Sequence, residues 1–281
     1  MRIIHTPEEL RVTLARLPGT RALVPTMGCL HAGHMRLIEA ARPRAAQLVV
    51  SIYVNPLQFG PNEDLARYPR TFEDDCARCR AAGVDVLFHP ATLYENGGPR
   101  VSLTVDDMGD VLCGASRPGH FAGVLTVVNI LFNLVRPDLA VFGEKDWQQL
   151  TLIRRMVRDL HMGTTILGVP TVRESDGLAM SSRNRYLDRT DRARAGALYA
   201  ALASMAEAAA AGERDCARLI ELGRAQLHAA GIAPEYLEIR HADSLQTLHR
   251  LRDDAPARAF VAARVGHARL IDNMPLTLEG H

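Results

Sequence analysis

Short apolar runs alternate with amphipathic stretches along about the first 160 residues of the chain. Turn residues bound each apolar run, which is typical of a buried strand, whereas the amphipathic stretches repeat their apolar residues at helical spacing. The predicted strands are residues 22–26, 47–54, 84–89 and 139–143. The predicted helices are residues 33–41, 72–82, 121–135 and 148–160, with a break expected near Pro43 because proline ends or kinks a helix. This alternation predicts an α/β fold with a parallel sheet covered by helices on both faces.

The pattern changes after residue 175. Two helical stretches, residues 192–211 and 215–230, are followed by strand candidates at 236–240, 259–263 and 269–272. Helices followed by strands predict a smaller α+β domain. We therefore expect two domains, residues 1–174 with the parallel sheet and residues 175–281 with the α+β arrangement.

Composition narrows the possible classes of protein. The 281 residues carry 33 Lys and Arg against 32 Asp and Glu, a net charge of +1 that gives no electrostatic footprint for nucleic acid or a membrane surface. No apolar run approaches the ~20 residues of a membrane helix, and the N-terminus lacks a long apolar signal core. The five cysteines are an odd number, which fits reduced thiols in a cytoplasm. Cys76 and Cys79 have no further zinc ligands well placed nearby and are interpreted as small thiols on one helical face.

The segment from Met27 to His34 connects the first predicted strand to the first predicted helix and carries two glycines and two histidines. Glycine lets a backbone come close to a ligand, and a helix start offers unpaired N–H groups and partial positive charge, which suit phosphate. His31 and His34 are three residues apart, so both can donate to phosphate oxygens from one face of the turn. His-x-Gly-His in this setting is typical of enzymes that transfer an adenylyl group from ATP.

A second candidate stretch, Gly143 to Asp146, follows a predicted strand and opens a helix. Lys145 can place a point charge on phosphate, and Gln149 lies one helical turn further on, so both can face one cleft. The alternative is a solvated helix start.

A third stretch, Met180-Ser181-Ser182-Arg183, is a cluster of flexible donors. It resembles the loop that binds the leaving pyrophosphate in the superfamily of adenylyl-transferring enzymes with the His-x-Gly-His turn. A Ser-Ser-Arg sequence is also common in surface loops.

In a fourth stretch, Asn55 and Gln58 follow a predicted buried strand. Their amides can hydrogen-bond the hydroxyls and carboxylate of a small substrate, whereas Asn-Pro also favours a turn by itself. Because the carboxyl ends of parallel strands meet at one edge, we expect these amides to converge with Pro25, His31, Glu144 and Lys145.

Two acidic residues, Asp74 and Asp75, can help hold a magnesium ion through water, although paired acids at a helix start are also typical of a cap. Arg117 is a candidate for ordering the site, and His120 is interpreted as structural.

Together these stretches resemble the pantothenate synthetase (pantoate–β-alanine ligase) family. The resemblance runs along nearly the whole chain and includes Glu-Asp-Leu-Ala-Arg-Tyr-Pro-Arg-Thr at 63–71 and Arg-Leu-Ile-Asp-Asn at 269–273. It implies a Rossmann-like nucleotide-binding domain with a C-terminal lid, ATP and Mg²⁺, the substrates (R)-pantoate and β-alanine, and a cytoplasmic homodimer.

The resemblance also implies roles for individual residues. His34 would be a proton donor, Gln58 and Gln149 would hold pantoate, and Val172 would contact adenine through its backbone. The residues implied to hold ATP are Met27, Gly28, Cys29, Leu30, His31, Ala32, Gly33, His34, Gly143, Glu144, Lys145, Asp146, Met180, Ser181, Ser182 and Arg183. The residues expected to stabilise charge on the leaving phosphate oxygens are His31, His34, Lys145, Ser181, Ser182 and Arg183.

Three positions depart from the family pattern: Cys29 replaces Ala or Asn, Trp147 replaces Tyr or Phe, and Ile130 replaces Lys.

Three other functions are alternatives to the ligase. A nucleotidyltransferase would need a basic pocket for an acceptor phosphate, an aminoacyl-tRNA synthetase fragment would need to bind tRNA, and a non-enzymatic module would bind ATP without releasing AMP.

Overall fold

The computed structural model describes residues 1–61, 63–95 and 97–278. The chain divides into two compact units. The first contains Met1–Asp110, Gly114–Glu144 and Leu152–Pro170; the second contains Val111–Cys113, Lys145–Thr151 and the chain from Thr171 onward. Two short segments that precede residue 152 therefore belong to the second unit, which a single boundary along the sequence cannot express.

Six strands of the first unit pair in parallel: β1 (Arg2–Ile4), β2 (Arg21–Thr26), β3 (Gln47–Ile52), β4 (Val86–Phe88), β5 (Leu139–Gly143) and β6 (Thr165–Val169). Their order across the sheet is β1-β4-β3-β2-β5-β6. Leu23 and Val24 in β2 are both fully buried. Because neighbouring strand residues point to opposite faces, both faces of the sheet are covered, as predicted for an α/β fold.

The helices that begin before residue 160 are α1 (Pro7–Ala15), α2 (Ala32–Ala41), α3 (Phe72–Ala81), α4 (Cys113–Ser116), α5 (His120–Val135) and α6 (Trp147–Asp159). Helices α2 and α3 bury their apolar residues in one cluster with β2 and β3, and α5 packs with α1 and β2. Cys76 and Cys79 are free thiols buried in that cluster, which confirms their interpretation as small apolar-like residues. Helix α2 ends at Ala41 and a 3-10 turn over Arg42–Arg44 follows, as Pro43 predicts.

The second unit packs helices against a three-stranded antiparallel sheet. Its strands are β7 (Pro234–His241), β8 (Ala257–Val265) and β9 (Ala268–Leu276), in the order β7-β8-β9. Its helices after residue 171 are α7 (Arg189–Ala195), α8 (Ala197–Ala210) and α9 (Cys216–Ala229). Asp215 caps α9 by accepting from the N–H groups of Ala217 and Arg218. The predicted α+β character of this region is confirmed.

Several predicted boundaries were wrong. The single helix expected over 192–211 is two helices joined at Gly196, where an added Cβ would lie 3.3 Å from Asp176. The strand expected over 84–89 is shorter because the N–H of Val84 donates to the carbonyl of Cys79 and closes the preceding helix. Strands β1 and β6 and helix α1 were not predicted.

No helix in the part of the chain that the structure describes is long and apolar enough to cross a membrane.

Candidate active site

The chain reverses its direction of strand addition at β2. It adds β3 and then β4 on one side of β2, and later places β5 on the other side. In open parallel sheets, ligands bind beyond the carboxyl ends of the strands at such a reversal. His31 and His34 follow β2, and Gly143 and Glu144 lie at the end of β5. The first unit therefore brings two predicted stretches to the edge that favours a ligand.

The turn after β2 has a left-handed backbone at two successive residues, Gly28 with φ +82° and Cys29 with φ +51°. A Cβ at position 28 would lie 3.0 Å from Cγ2 of Ile52 and 3.1 Å from Oδ2 of Asp75. Both conformation and space therefore favour glycine there. Positive φ is uncommon for a residue other than glycine, so the surroundings must hold the backbone of Cys29 in place.

Asp75 in α3 holds this turn. The side chain is buried, and its Oδ2 and Oδ1 accept hydrogen bonds from the N–H groups of Cys29 and Leu30 at 2.9 Å and 2.8 Å. The Thr71 hydroxyl donates to Oδ1 at 3.3 Å. Hydrogen bonds to a carboxylate are stronger than those between neutral groups. This geometry gives Asp75 a structural role in the turn, while its neighbour Asp74 is exposed.

The two histidines cap helix α2 reciprocally. Nδ1 of His31 accepts from the N–H of Gly33 at 3.1 Å, and Nδ1 of His34 accepts from the N–H of His31 at 3.3 Å. A neutral imidazole that accepts through Nδ1 carries its proton on Nε2. Each neutral histidine is thus an Nε2–H donor at a helix start, where the backbone also favours an anion.

Asn55 and Gln58 are joined in one network after β3. Oδ1 of Asn55 accepts from the Tyr94 hydroxyl at 2.7 Å and from the N–H of Leu57 at 3.3 Å. Burial raises the pKa of Tyr94 above its ordinary value, so this hydroxyl stays a donor. The Asn55 amide nitrogen consequently faces Oε1 of Gln58 at 3.1 Å. The structure therefore brings these two predicted substrate-binding residues together.

Arg117 fixes the backbone beneath Gln58. Its guanidinium makes a two-pronged ion pair with Glu63 at 2.8 Å and 2.5 Å, and it donates to the carbonyl of Gln58 at 3.1 Å. Nδ1 of His120 donates to the same carbonyl at 2.8 Å, while its Nε2 accepts from Arg117 at 2.9 Å. The two contacts assign His120 its Nδ1–H tautomer. These contacts agree with an ordering role for Arg117.

In the second unit, Lys145 lies in a 3-10 turn, Glu144–Asp146, directly before α6. Its Nζ is 3.9 Å from Oδ2 of Asp146. Gln148 is buried and bonds to the backbone of Cys113 and Val111, whereas Gln149 is half-buried. Gln148 is therefore structural, and Gln149 is the glutamine of the pair that remains suited to a substrate.

Residues 172–184 form a folded loop within the second unit. The N–H of Met180 donates to the carbonyl of Val172 at 2.9 Å, which places these two predicted nucleotide-binding residues side by side. Oγ of Ser181 accepts from the N–H of Arg183 at 3.2 Å and caps a 3-10 helix over Ser182–Tyr186. Two of the predicted pyrophosphate-binding donors are therefore held by local structure.

Two supporting contacts, Tyr94 on Asn55 and Glu63 on Arg117, have no signal in the sequence. Both partners lie tens of residues away along the chain, and only the fold brings them together.

Ile130, which departs from the family pattern, is half-buried on α5. Among the described residues, no three His, Cys, Asp or Glu side chains come together as a metal site.

Comparison with known proteins gives consistent matches over the full length. A family model described as pantoate-beta-alanine ligase matches residues 2–275. The pantothenate synthetase of Pseudomonas putida (strain GB-1) is 52% identical over 99% of both chains, and that of Methylococcus capsulatus is 50% identical over 99% of both.

Two solved structures are also similar. Pantothenate synthetase from Thermus thermophilus has a TM-score of 0.93 and 47% identity, covering 98% of this chain and 99% of that one. Pantoate-beta-alanine ligase from Francisella tularensis, complexed with beta-gamma ATP and beta-alanine, has a TM-score of 0.82 and 33% identity, covering 98% of this chain and 97% of that one.

Proposed function

This chain belongs to the pantoate–β-alanine ligase family, and we propose that it joins (R)-pantoate to β-alanine, converting ATP to AMP and pyrophosphate through a bound pantoyl adenylate. The Francisella tularensis relative, solved with an ATP compound and β-alanine, supports two of these substrates. The balanced net charge and the amides of Gln58 and Gln149 suit a hydroxylated carboxylate better than an acceptor phosphate.

The observation that carries the proposal is the reciprocal cap of α2 at the reversal point of the sheet. His31 and His34 are tied through Nδ1, so the neutral rings are donors through Nε2 at a helix start. The glycine turn before them lets the backbone approach a phosphate. An edge of this kind suits the phosphates of ATP, which the proposed reaction cleaves at the α-phosphate.

In the first step, a carboxylate oxygen of pantoate attacks the α-phosphorus, and the bond to pyrophosphate breaks. Negative charge develops on the leaving oxygens. We assign its stabilisation to Lys145, the two histidines, and the donors Ser181, Ser182 and Arg183. Preorganised donors of this type are typically worth about 10²–10³ in rate each.

In the second step, the neutral amine of β-alanine attacks the acyl carbonyl of the adenylate. The amide bond forms, the acyl C–O bond breaks so that AMP leaves with the electron pair, and the amine loses a proton to water. No protein nucleophile is required. Positioning of the two reactants supplies much of this step, since aligned groups can reach effective molarities of about 10⁵–10⁸ M.

The remaining nucleotide contacts follow the same assignment. Met27, Gly28, Cys29 and Leu30 would surround the phosphates, and Val172 would contact adenine through its backbone. Further ATP contacts are assigned to Ala32, Gly33, Gly143, Glu144, Asp146 and Met180. Gln58 and Gln149 would hold pantoate, and Asn55, which was also expected to contact it, would instead orient Gln58, because its buried amide is hydrogen-bonded within the protein at both ends.

We propose that Mg²⁺ accompanies ATP and neutralises charge on its phosphates. Both oxygens of Asp75 accept backbone hydrogen bonds, so they do not fit a direct metal ligand. Asp74 is exposed and is the better candidate for a contact through water. We also propose that the enzyme works as a cytoplasmic homodimer and binds neither nucleic acid nor membranes.

Release of AMP with each substrate omitted in turn tests the proposed function. The ligase requires pantoate, β-alanine and ATP together for AMP release in multiple turnovers, and it forms one amide per AMP. A nucleotidyltransferase would keep AMP in its product, and an ATP-binding module would release none. Either result would refute the proposal.

A further inference from the structure

One family-like stretch, Arg-Leu-Ile-Asp-Asn at 269–273, has no role in the chemistry described above. It lies in β9, and its last two residues, Asp272 and Asn273, are buried polar side chains at 4% and 3% exposure. Buried polar groups cost free energy unless they are hydrogen-bonded. The hydrogen-bond partners of Asp272 and Asn273 therefore indicate which segments these two side chains hold in place.

Asn273 holds the backbone of Lys145. Its Nδ2 donates to the Lys145 carbonyl at 2.8 Å. Its Oδ1 accepts from Arg258, whose guanidinium carbon lies 3.5 Å from the centre of the Trp147 ring. The indole N–H of Trp147 donates to the carbonyl of Ala242 at 2.8 Å. Lys145 and the residue two positions after it are thus fixed to the sheet side of this unit.

Asp272 holds the other nucleotide-binding segment. Both of its oxygens pair with Arg173, at 2.5 Å and 3.0 Å, and Arg173 is the neighbour of Val172. Arg173 also donates to the carbonyl of Gly177 at 3.0 Å. The N–H of Asn273 donates to Oδ1 of Asp272 at 2.8 Å, which couples the two side chains.

We propose that Asp272 and Asn273 are positioning residues that fix the Lys145 segment and the Val172 segment to one strand. The proposal rests on the assignment of Lys145 to the phosphates of ATP. A bidentate Arg–carboxylate pair has a defined geometry. Holding the Lys145 carbonyl fixes the peptide plane attached to the Lys145 Cα, which limits the directions in which the Lys145 side chain can point. Misplacing a catalytic group by 1 Å can reduce rate by about 10²-fold, so such supports act on catalysis without touching substrate.

The test is a double-mutant cycle between Asn273→Asp and Lys145→Ala. Asn273→Asp keeps an acceptor for Arg258 and replaces the donor to the Lys145 carbonyl with a carboxylate oxygen, which repels that carbonyl. Pyrophosphate release is followed in single turnovers with radiolabelled ATP, so that slow rates are measured. In the otherwise native enzyme, Asn273→Asp lowers kcat/KM for ATP by about 10- to 100-fold. With Ala at position 145, the same change lowers it by less than about 3-fold, because its effect runs through the lysine side chain.

Leu270→Val, a core change in the same strand, is the matched control, because it lowers stability without touching the Lys145 segment. We expect it to leave the rate per folded molecule unchanged. Asn273→Ser is the second variant, used if Asn273→Asp does not fold. Equal losses in the native and Lys145→Ala backgrounds would make Asn273 merely structural and overturn the proposal. An unchanged kcat/KM for ATP in Asn273→Asp would also overturn the proposal. Normal pyrophosphate release by Lys145→Ala alone would instead refute the assignment of Lys145.

Discussion

The side-chain amide nitrogen of Asn55 donates to Oε1 of Gln58 at 3.1 Å, and this bond orients the Gln58 amide. The Gln58 nitrogen then faces Sδ of Met27 at 3.3 Å. A thioether is a weak acceptor. A carboxylate or hydroxyl of pantoate can therefore replace the sulfur as the partner of Gln58 at little cost.

We predict that Asn55→Asp weakens the binding of pantoate as much as Gln58→Ala does. The aspartate keeps the acceptor for Tyr94 and the Leu57 N–H. It lacks the amide donor that orients Gln58 and that also bonds to the Gly123 carbonyl. A buried polar group left unpaired costs about 1–3 kcal/mol, so KM for pantoate rises by about 5- to 150-fold. Steady-state kinetics with pantoate varied measures this, and KM for ATP is the internal control. An unchanged pantoate response in both variants would mean that these amides only shape the turn.

Arg117→Lys is expected to raise KM for pantoate and to leave adenylate chemistry nearly intact at saturating substrate. Lysine keeps the positive charge but loses the planar fork that holds Glu63 and the Gln58 carbonyl together. Arg36→Lys, at an exposed i,i+3 pair, is the matched control and should change neither constant. A fall in kcat with an unchanged pantoate KM would contradict the positioning role.

The role of Asp75 is separable from metal binding. Asn at position 75 retains one acceptor oxygen and turns an NH₂ group toward a backbone donor. We expect Asp75→Asn to lower the free energy of unfolding by about 1.5–3 kcal/mol, the value of a hydrogen bond to a charged group. Asp74→Asn, at the exposed neighbour, should stay within about 0.5 kcal/mol of the native protein.

Denaturant unfolding measures both values, and a magnesium titration of activity distinguishes the two roles. If Asp75 anchors the turn, its replacement leaves the magnesium dependence unchanged. A variant of normal stability that needs much more magnesium would show that Asp75 acts on the metal.

The sequence predicted the strand–turn–helix around His31 because all of its signals are local. The apolar strand, the glycines of the turn and the stop at Pro43 lie within about one strand and one helix of each other. Strand β1 was missed because three residues are too few to show a period, and β6 because its residues are mostly half-buried at the sheet edge.

The supports of the candidate site were beyond local reasoning for a different reason. Arg173 and Asp272 are separated by 99 positions, and Cys29 and Asp75 by 46. No pattern in the sequence indicates that the two members of either pair are partners. The residue types expected at the phosphates could therefore be named from motifs, while the residues that hold them required the fold.

His34→Ala is predicted to impair pyrophosphate release more than pantoate binding. The ring is one half of the reciprocal cap, so its loss removes both an Nε2–H donor and an acceptor for the His31 N–H. His34→Gln offers a polar side chain at the same position and should restore part of the helix stability while leaving the rate low. Titration calorimetry with pantoate and a single-turnover assay decide the matter. Lost pantoate binding with normal chemistry would reverse the assignment.

Cys29 provides a prediction about backbone strain. It has φ +51° and is 5% exposed, and its N–H is held by Asp75 at 2.9 Å. Cys29→Ala and Cys29→Val both place a small apolar side chain at this position, but only valine is β-branched, and branching at positive φ brings extra contacts with the backbone. We expect Cys29→Ala to keep its activity. Cys29→Val should be less stable than Cys29→Ala by about 1–2 kcal/mol, the scale of strain in a left-handed backbone. It should also bind ATP more weakly. Denaturant unfolding and ATP titration measure the two effects. If the valine variant were as stable and as active as the alanine variant, the turn would not require its left-handed backbone to bind phosphate.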